Sequence, residues 1–260
     1  MIFQKNSTIL WNKQVSDNYF QMGLQCHGLS KAIPGQFVMI QLSDNPYPLL
    51  RRPFSIYGLI DTKDTQGIEL LYKVVGKGTS ELSTFPVGRS INVLGPLGNG
   101  FDLTEPIKSA ILISGGIGVA PMVFLGKRLL ESDIYCRALT GGKTATDLLC
   151  TDVFNHMCIE MLSYTDDASA GKQGFVTDGL LGLIDQEKPD IIYACGPYPM
   201  LKKVSEIAKK YGIACRISIE SHMACGMGAC LGCAVLSKDS HKNYFHVCTD
   251  GPVFDACRVF

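Results

Sequence analysis

The sequence carries no net charge, because 24 lysines and arginines are matched by 24 aspartates and glutamates. It therefore lacks the basic excess with which a chain neutralises phosphates, which argues against nucleic-acid binding and against a polybasic membrane anchor. A membrane-length apolar run is also missing. The longest uncharged stretch, residues 109–126 between Lys108 and Lys127, is broken by Gly115, Gly116, Gly118 and Pro121. It reads as strand, turn and helix, not as a span. Met1-Ile2-Phe3-Gln4-Lys5 has neither the apolar stretch nor the small-residue cleavage site of a signal peptide. A cytoplasmic protein without disulfides is expected. There is no G-x-S-x-G elbow of a hydrolase and no G-x-x-x-x-G-K-[ST] phosphate loop; Gly141-Gly142-Lys143-Thr144 lacks the first glycine. The five histidines form no close metal pair, and His222 reads as a polar surface residue.

What is present is a globular composition. Of 260 residues, 46% are hydrophobic and 18% charged, enough to bury about three quarters of the unfolded surface without cross-links. Three textures follow one another. Residues 1–102 hold short strand-like segments at 36–42, 55–60, 68–75 and 90–94, punctuated by Gly and Pro, with no helical period. This pattern suggests a barrel or sandwich. Residues 103–219 alternate strand-like and helix-like segments: strands at 110–114, 135–140, 158–164, 191–195 and 213–219, and helices after Pro121, over 145–154 and over 198–211. Such alternation predicts a parallel sheet with helices on both faces, and a ligand crevice beyond the strand ends. Residues 220–260 are Gly- and Cys-rich and hold too few apolar residues for a core of their own, so a metal is expected to fix them.

The strongest motif lies in this last segment. Cys225-x4-Cys230-x2-Cys233, followed by Cys248, has the spacing of plant-type [2Fe–2S] ferredoxins. Gly226, Gly228 and Gly232 stand between the ligands, where close backbone approach lets N–H groups point at sulfur. The alternative is zinc, whose structural sites usually pair cysteines in two short knuckles. Cys257 reads as a spare. A second motif, Ser114-Gly115-Gly116-Ile117-Gly118-Val119-Ala120-Pro121, follows a strand and opens a helix. It is not G-x-G-x-x-G, but it has the mechanics of diphosphate binding at a helix N-terminus; a tight turn without ligand is the alternative. Cys195-Gly196-Pro197 ends a later strand of the same sheet. Arg51-Arg52-Pro53-Phe54-Ser55 sets a cation, a flat ring and a hydroxyl side by side, suited to a diphosphate and a ring system. Gly76-Lys77-Gly78-Thr79 adds a glycine-rich loop. Either of the last two could be plain surface.

In this order, R-P-F-S, G-x-G-T, G-G-I-G-x-A-P and C-G-P resemble the ferredoxin–NADP⁺ reductase superfamily over residues 1–219. The tail, Glu220-Ser221-His222-Met223-Ala224-Cys225-Gly226-Met227-Gly228-Ala229-Cys230-Leu231-Gly232-Cys233, resembles the electron-transfer subunits of type B, NAD⁺-dependent dihydroorotate dehydrogenase. The resemblance implies an α+β multidomain chain: an antiparallel β-barrel binding FAD, an α/β doubly wound parallel sheet binding NAD, and a small Cys-rich iron–sulfur tail. It implies FAD contacts from Arg52, Pro53, Phe54 and Ser55, from Leu71, Tyr72 and Lys73, and from Gly78 and Thr79. Gly115, Gly116 and Gly118 would floor the nicotinamide-nucleotide site, with Cys195 and Gly196 facing the nicotinamide. Cys225, Cys230, Cys233 and Cys248 would hold a [2Fe–2S] cluster. The implied partner is an FMN-containing catalytic subunit in a heterotetramer of two plus two. Electrons would run from FMN through the cluster and FAD to NAD⁺ during pyrimidine synthesis, with no acid–base dyad in this chain. One departure is Phe54, where the superfamily usually has Tyr.

Two other readings compete. A flavin–iron–sulfur reductase serving a ferredoxin- or sulfur-linked partner would share fold and cofactors. A zinc-stabilised nucleotide-binding regulator would share neither redox group. The second sheet strand is followed by Thr140-Gly141-Gly142-Lys143, with no acidic residue for a ribose diol, so NAD rests on the resemblance and Lys143 could tolerate a 2′-phosphate.

Overall fold

The computed structural model describes residues 2–42 and 49–260; Met1 lies outside the described residues, and Phe3 opens the first strand. The first region closes into an antiparallel barrel. Its strands are β1 (Phe3–Ser16), β2 (Tyr19–Gln25), β3 (Phe37–Gln41), β4 (Arg52–Asp61), β5 (Gln66–Lys73) and β6 (Ser90–Leu97). They lie in the order β1-β2-β5-β4-β3-β6. Strand alternation sorts the side chains. On β3, Val38 and Ile40 join Ile9, Met22, Leu24 and Ile56 inside the barrel. Phe37 and Met39 belong instead to a second core outside it.

Periodicity predicts no helix in this region, yet α1 (Lys77–Ser83) follows β5. Thr79 explains it. Its hydroxyl accepts the N–H groups of Val75 at 2.9 Å and Gly76 at 3.2 Å, which satisfies the helix entry. A helix this short shows no readable period in sequence.

The second region forms a parallel sheet in the order β10-β9-β8-β7-β11-β12. Its strands are β7 (Ser109–Gly115), β8 (Tyr135–Gly142), β9 (Glu160–Thr165), β10 (Lys172–Gln173), β11 (Ile191–Cys195) and β12 (Ala214–Ser218). Alternate residues of β7 face opposite layers. Ala110 and Leu112 meet α2 (Val119–Leu130) and α3 (Thr151–His156) through Leu129 and Phe154. Ile111 and Ile113 meet α4 (Val176–Gln186) and α5 (Tyr198–Tyr211) through Leu180, Leu183 and Val204. Both faces are covered, as doubly wound sheets require. Two details differ from the sequence reading. The helix expected over residues 145–154 is split: a single turn at Ala145–Asp147 ends in extended Leu148, and α3 starts only after Cys150, whose φ is +63°. Helix α4 was not expected, although Val176, Leu180, Leu183 and Ile184 line its buried side.

The tail contributes β13 (Ala234–Leu236) and β14 (Tyr244–His246), paired as a hairpin, and β15 (Val253–Asp255), which joins the large sheet antiparallel to β12. The expectation that something other than hydrophobic burial, such as a metal, fixes this segment needs correction. Phe245, Val247, Phe254 and Val259 are buried in one core with Leu201 and Ile217 of the sheet domain and Phe37, Met39 and Leu97 of the barrel. The tail has no core of its own because it completes one shared by both neighbours. No helix among the described residues is long and apolar enough to cross a membrane.

Candidate functional site

In the sheet order β8-β7-β11, strands β7 and β11 end side by side, where a doubly wound sheet opens its crevice. Three glycines of the Ser114–Pro121 motif do different work there. A Cβ on Gly118 would stand 2.3 Å from the Cys195 carbonyl oxygen, so Gly118 lets α2 begin directly against the end of β11. A Cβ on Gly115 would meet Pro197 Cδ at 2.7 Å. Gly116, with φ +53°, has only the Tyr19 hydroxyl nearby, 4.0 Å from its would-be Cβ. Gly115 and Gly116 line a cleft of about 620 Å³ together with Gly196, Lys73 and Tyr19. That volume suits a nucleotide-sized ligand. Gly118 supports the cleft from behind.

Cys195 is placed differently from its glycine neighbour. Gly196 lines the cleft, whereas the Cys195 side chain is buried behind it. Burial pushes its thiol up, reinforced by the charge of Glu220. Glu220 itself lies on the cleft wall, and desolvation raises its carboxyl. Sequence reasoning missed Glu220, since nothing in a single carboxylate before a Cys-rich segment marks it.

The cleft also holds a cross-domain cluster that the sequence did not reveal. Asp147, from the turn after β8, accepts a hydrogen bond from the Tyr19 hydroxyl and an ion pair from Lys73 Nζ at 3.0 Å. The Lys73 ammonium lies 4.7 Å over the Tyr19 ring. The backbone N–H of Lys143 donates to the other Asp147 oxygen at 3.1 Å. Burial alone would raise the Asp147 carboxyl, but Tyr19 and Lys73 hold it below the usual carboxylate range. Asp166, after β9, is a second acid on the wall. Acidic groups therefore do stand at the strand ends. They lie beyond the Thr140–Lys143 window in which a ribose-binding acid was sought, because the intervening turn folds Asp147 back to the cleft.

On the barrel, register separates the residues of the R-P-F-S motif. Pro53 and Ser55 pair with Met39 and Phe37 and share their outward face. Phe54 pairs with Val38 and packs inside the barrel, edge-on to Tyr72 at 5.7 Å. The same alternation applies on β5: Leu71 belongs to the core beneath the cleft, while Tyr72 is inside the barrel, its hydroxyl donating to Asn12 at 2.9 Å. Leu71 and Lys73 therefore share a face that Tyr72 does not. The two arginines also part. Arg51 donates to the Asn92 carbonyl at 3.2 Å and to Gln41 Oε1 at 3.2 Å, tying β3 and β6 together. Arg52 reaches α1, where a Cβ on Gly78 would stand 3.3 Å from its Nε. Arg52, Gly78 and the N-terminal turn of α1 thus form one cationic corner. The Thr79 hydroxyl there is already engaged in capping.

The four tail cysteines lie in two pairs. The N–H groups of Met227 and Cys230 point at Cys225 Sγ, at 3.4 Å and 3.3 Å. Burial would raise this thiol, but these donors pull it down to about 7. Cys233 Sγ lies 3.3 Å from Cys248 Sγ. Burial and Cys233 push the Cys248 thiol up to about 12, and Cys225 is its electrostatic neighbour. Among the described residues no group of three or more His, Cys, Asp or Glu side chains is closed tightly enough to hold a metal as it stands. The donor set nevertheless fits an iron–sulfur cluster: thiols only, with backbone N–H groups already aimed at sulfur. Cys257 is exposed and outside both pairs.

Comparison with known proteins decides the family. The family model described as the iron-sulfur cluster binding domain of dihydroorotate dehydrogenase B matches residues 220–260. An oxidoreductase NAD-binding domain matches residues 112–206. Over its full length the chain is 37% identical to the dihydroorotate dehydrogenase B (NAD(+)) electron transfer subunit of Caldanaerobacter subterraneus subsp. tengcongensis, covering 99% of that protein. The chain belongs to this family. The corresponding subunit of Listeria monocytogenes is 38% identical, with 99% of each chain covered. Among solved structures, one reported under the heading of flavin-based electron bifurcation by NADH-dependent reduced ferredoxin-NADP oxidoreductase superposes with TM-score 0.84 at 31% identity. It covers 98% of this chain and 89% of that one. A ferredoxin NADP+ reductase from Neisseria gonorrhoeae shares the fold alone, with TM-score 0.66 at 16% identity, covering 80% of this chain and 92% of that one.

Proposed function

We propose that this chain is the electron-transfer subunit of an NAD⁺-dependent dihydroorotate dehydrogenase, passing electrons between a partner subunit and NAD⁺ by way of a [2Fe–2S] cluster and FAD. The observation that carries the reading is the placement of Glu220. It lies on the cleft wall and also heads the segment matched by the iron–sulfur family model, so one continuous stretch of chain leads from the nucleotide cleft into the cysteine loop.

When bound, FAD exchanges hydride with a nicotinamide and single electrons with the cluster, a conversion that belongs to the cofactor. The chain's residues would position these groups. Arg52, beside Gly78 and the N-terminal turn of α1, would take the FAD diphosphate, with Pro53, Phe54 and Ser55 lining the flavin and Leu71, Tyr72 and Lys73 adding the next strand. Because Phe54 and Tyr72 point into the barrel, they would do so through their backbones. Gly116 would admit the nucleotide diphosphate over the start of α2, and Gly196 would admit the nicotinamide face. Cys225, Cys230, Cys233 and Cys248 would ligate iron.

The partner would be an FMN-containing catalytic subunit, two of each forming a heterotetramer. Met227 and Leu231 are exposed apolar residues beside the cysteine ligands, which suits the partner-facing surface. The test is anaerobic co-purification and NADH-driven reduction of orotate by the complex. Activity that requires both subunits supports the reading. The likeness to the bifurcating oxidoreductase favours one other reading, a reductase subunit for a ferredoxin-linked partner. A complex that reduces artificial acceptors but never orotate would establish that alternative.

A further inference from the structure

The barrel meets the cysteine loop through Met39 of β3, with Leu97 of β6 beside it. Met39, fully buried on β3, lies directly beneath Gly226, the residue after Cys225. A Cβ on Gly226 would stand 2.6 Å from Met39 Cγ and 3.1 Å from its Sδ, with Leu97 Cδ1 at 3.2 Å. Gly226 has φ +73°, so both its conformation and its contact require glycine. On the other side, Met39 is the register partner of Pro53 on β4, and its carbonyl accepts from Arg51 Nη1 at 3.4 Å. Its side chain shares a core with Cys233 and Cys248. One methionine thus touches the cluster loop and neighbours the strand read as the flavin strand.

We propose that Met39 is a positioning residue that sets the spacing between the cluster and the flavin, and so the rate of single-electron transfer between them. The proposal rests on the reading of Arg52–Ser55 as flavin contacts and of the four cysteines as cluster ligands. The step it controls moves one electron from reduced flavin to oxidised cluster, or back, with no bond formed or broken. Each hydride, a proton and an electron pair, delivered by NADH supplies two such electrons, which leave singly to the partner subunit. Electron transfer weakens steeply with distance, so the seat of the loop on β3 matters more for this step than for hydride transfer in the cleft. Methionine suits the place because an unbranched apolar chain fills the gap beneath Gly226 and keeps water from that side of the loop.

The test uses the intact complex, loaded with flavin and iron, mixed rapidly with NADH. First-turnover NADH oxidation reads the hydride step. Freeze-quench EPR of the reduced cluster reads the single-electron step. In Met39→Ala the hydride step should stay at the wild-type rate while cluster reduction slows by up to about 100-fold, the scale of a misplacement of about 1 Å. Met39→Leu should restore it, and Met39→Val should fall between. Cluster reduction at the wild-type rate throughout the series, or both steps slowing together, would overturn the proposal. If Met39→Ala loses its iron, the Val and Leu variants carry the same comparison. The underlying reading fails separately: Arg52→Ala retaining full flavin would reject the flavin strand whatever the Met39 rates show.

Discussion

Lys73 Nζ lies 3.0 Å from Asp147 Oδ1, and this pair joins the barrel to the nucleotide sheet at the edge of the cleft. Tyr19 donates to the same carboxylate, so one acid holds two groups from the barrel. Lys73 is partly exposed, which limits the pair to roughly 0.5–1 kcal/mol. Lys73→Met should therefore lower stability only slightly. Asp147→Ala should cost more, about 1–3 kcal/mol, because it strands the Tyr19 hydroxyl as well. The Asp147 carboxyl is depressed in the folded chain. Its contribution is thus present above the unfolded carboxylate pKa and is lost as pH falls through the lower folded value. Urea unfolding of both variants near neutral pH and in acid checks this; the difference from wild type should shrink only in acid.

Flavin retention should depend on the Arg52 corner. A charge-assisted bond to a diphosphate contributes about 1.5–3 kcal/mol, so Arg52→Ala should weaken FAD binding by roughly 10- to 100-fold. Gly78→Val should act similarly, since a side chain there meets Leu42 Cδ1 at 2.6 Å and displaces Arg52. Arg51→Met should instead lower stability, because Arg51 bonds barrel strands to one another. Flavin absorbance per chain after gel filtration separates the two arginines.

Cluster loss and tail unfolding should come apart. Cys225→Ser should abolish the iron–sulfur absorbance. β15 should nevertheless stay paired with β12, and Phe245 and Phe254 should stay buried, 5.3 Å apart. Limited proteolysis should then cut near Gly226–Gly232 and spare the segment after Tyr244. Digestion of the whole tail would show that the cluster, not the shared core, holds it.

Nucleotide choice should favour NADH over NADPH, because after β8 and β9 two acids, Asp147 and Asp166, line the cleft against one lysine, Lys143, so a 2′-phosphate would approach net like charge. Removing one such charge is worth about 1 kcal/mol or a little more at this exposure. Asp166→Asn should therefore raise kcat/KM for NADPH several-fold while leaving that for NADH nearly unchanged. Equal effects on both nucleotides would place Asp166 away from the 2′ position.

Much of this was legible in the chain itself. The strand over Ile191–Cys195 and the helix over Tyr198–Tyr211 appear where periodicity and the flanking Pro and Gly signals put them. Cysteine spacing singled out candidate cluster ligands because a thiolate loop is local, and glycine spacing marked the strand–helix turn for the same reason. Local chemistry is written consecutively, so it can be read consecutively. The tertiary structure alone decided what depends on distant partners. It put Asp147 against Tyr19 and Lys73, which lie far apart in sequence. It turned Cys195 inward and Gly196 toward the cleft, although the two are adjacent. It also gave the tail a hydrophobic core by lending it Met39 and Leu97 from the barrel, and so seated the cysteine loop on β3. Burial and register are properties of pairs of segments, and a single segment's sequence does not contain them.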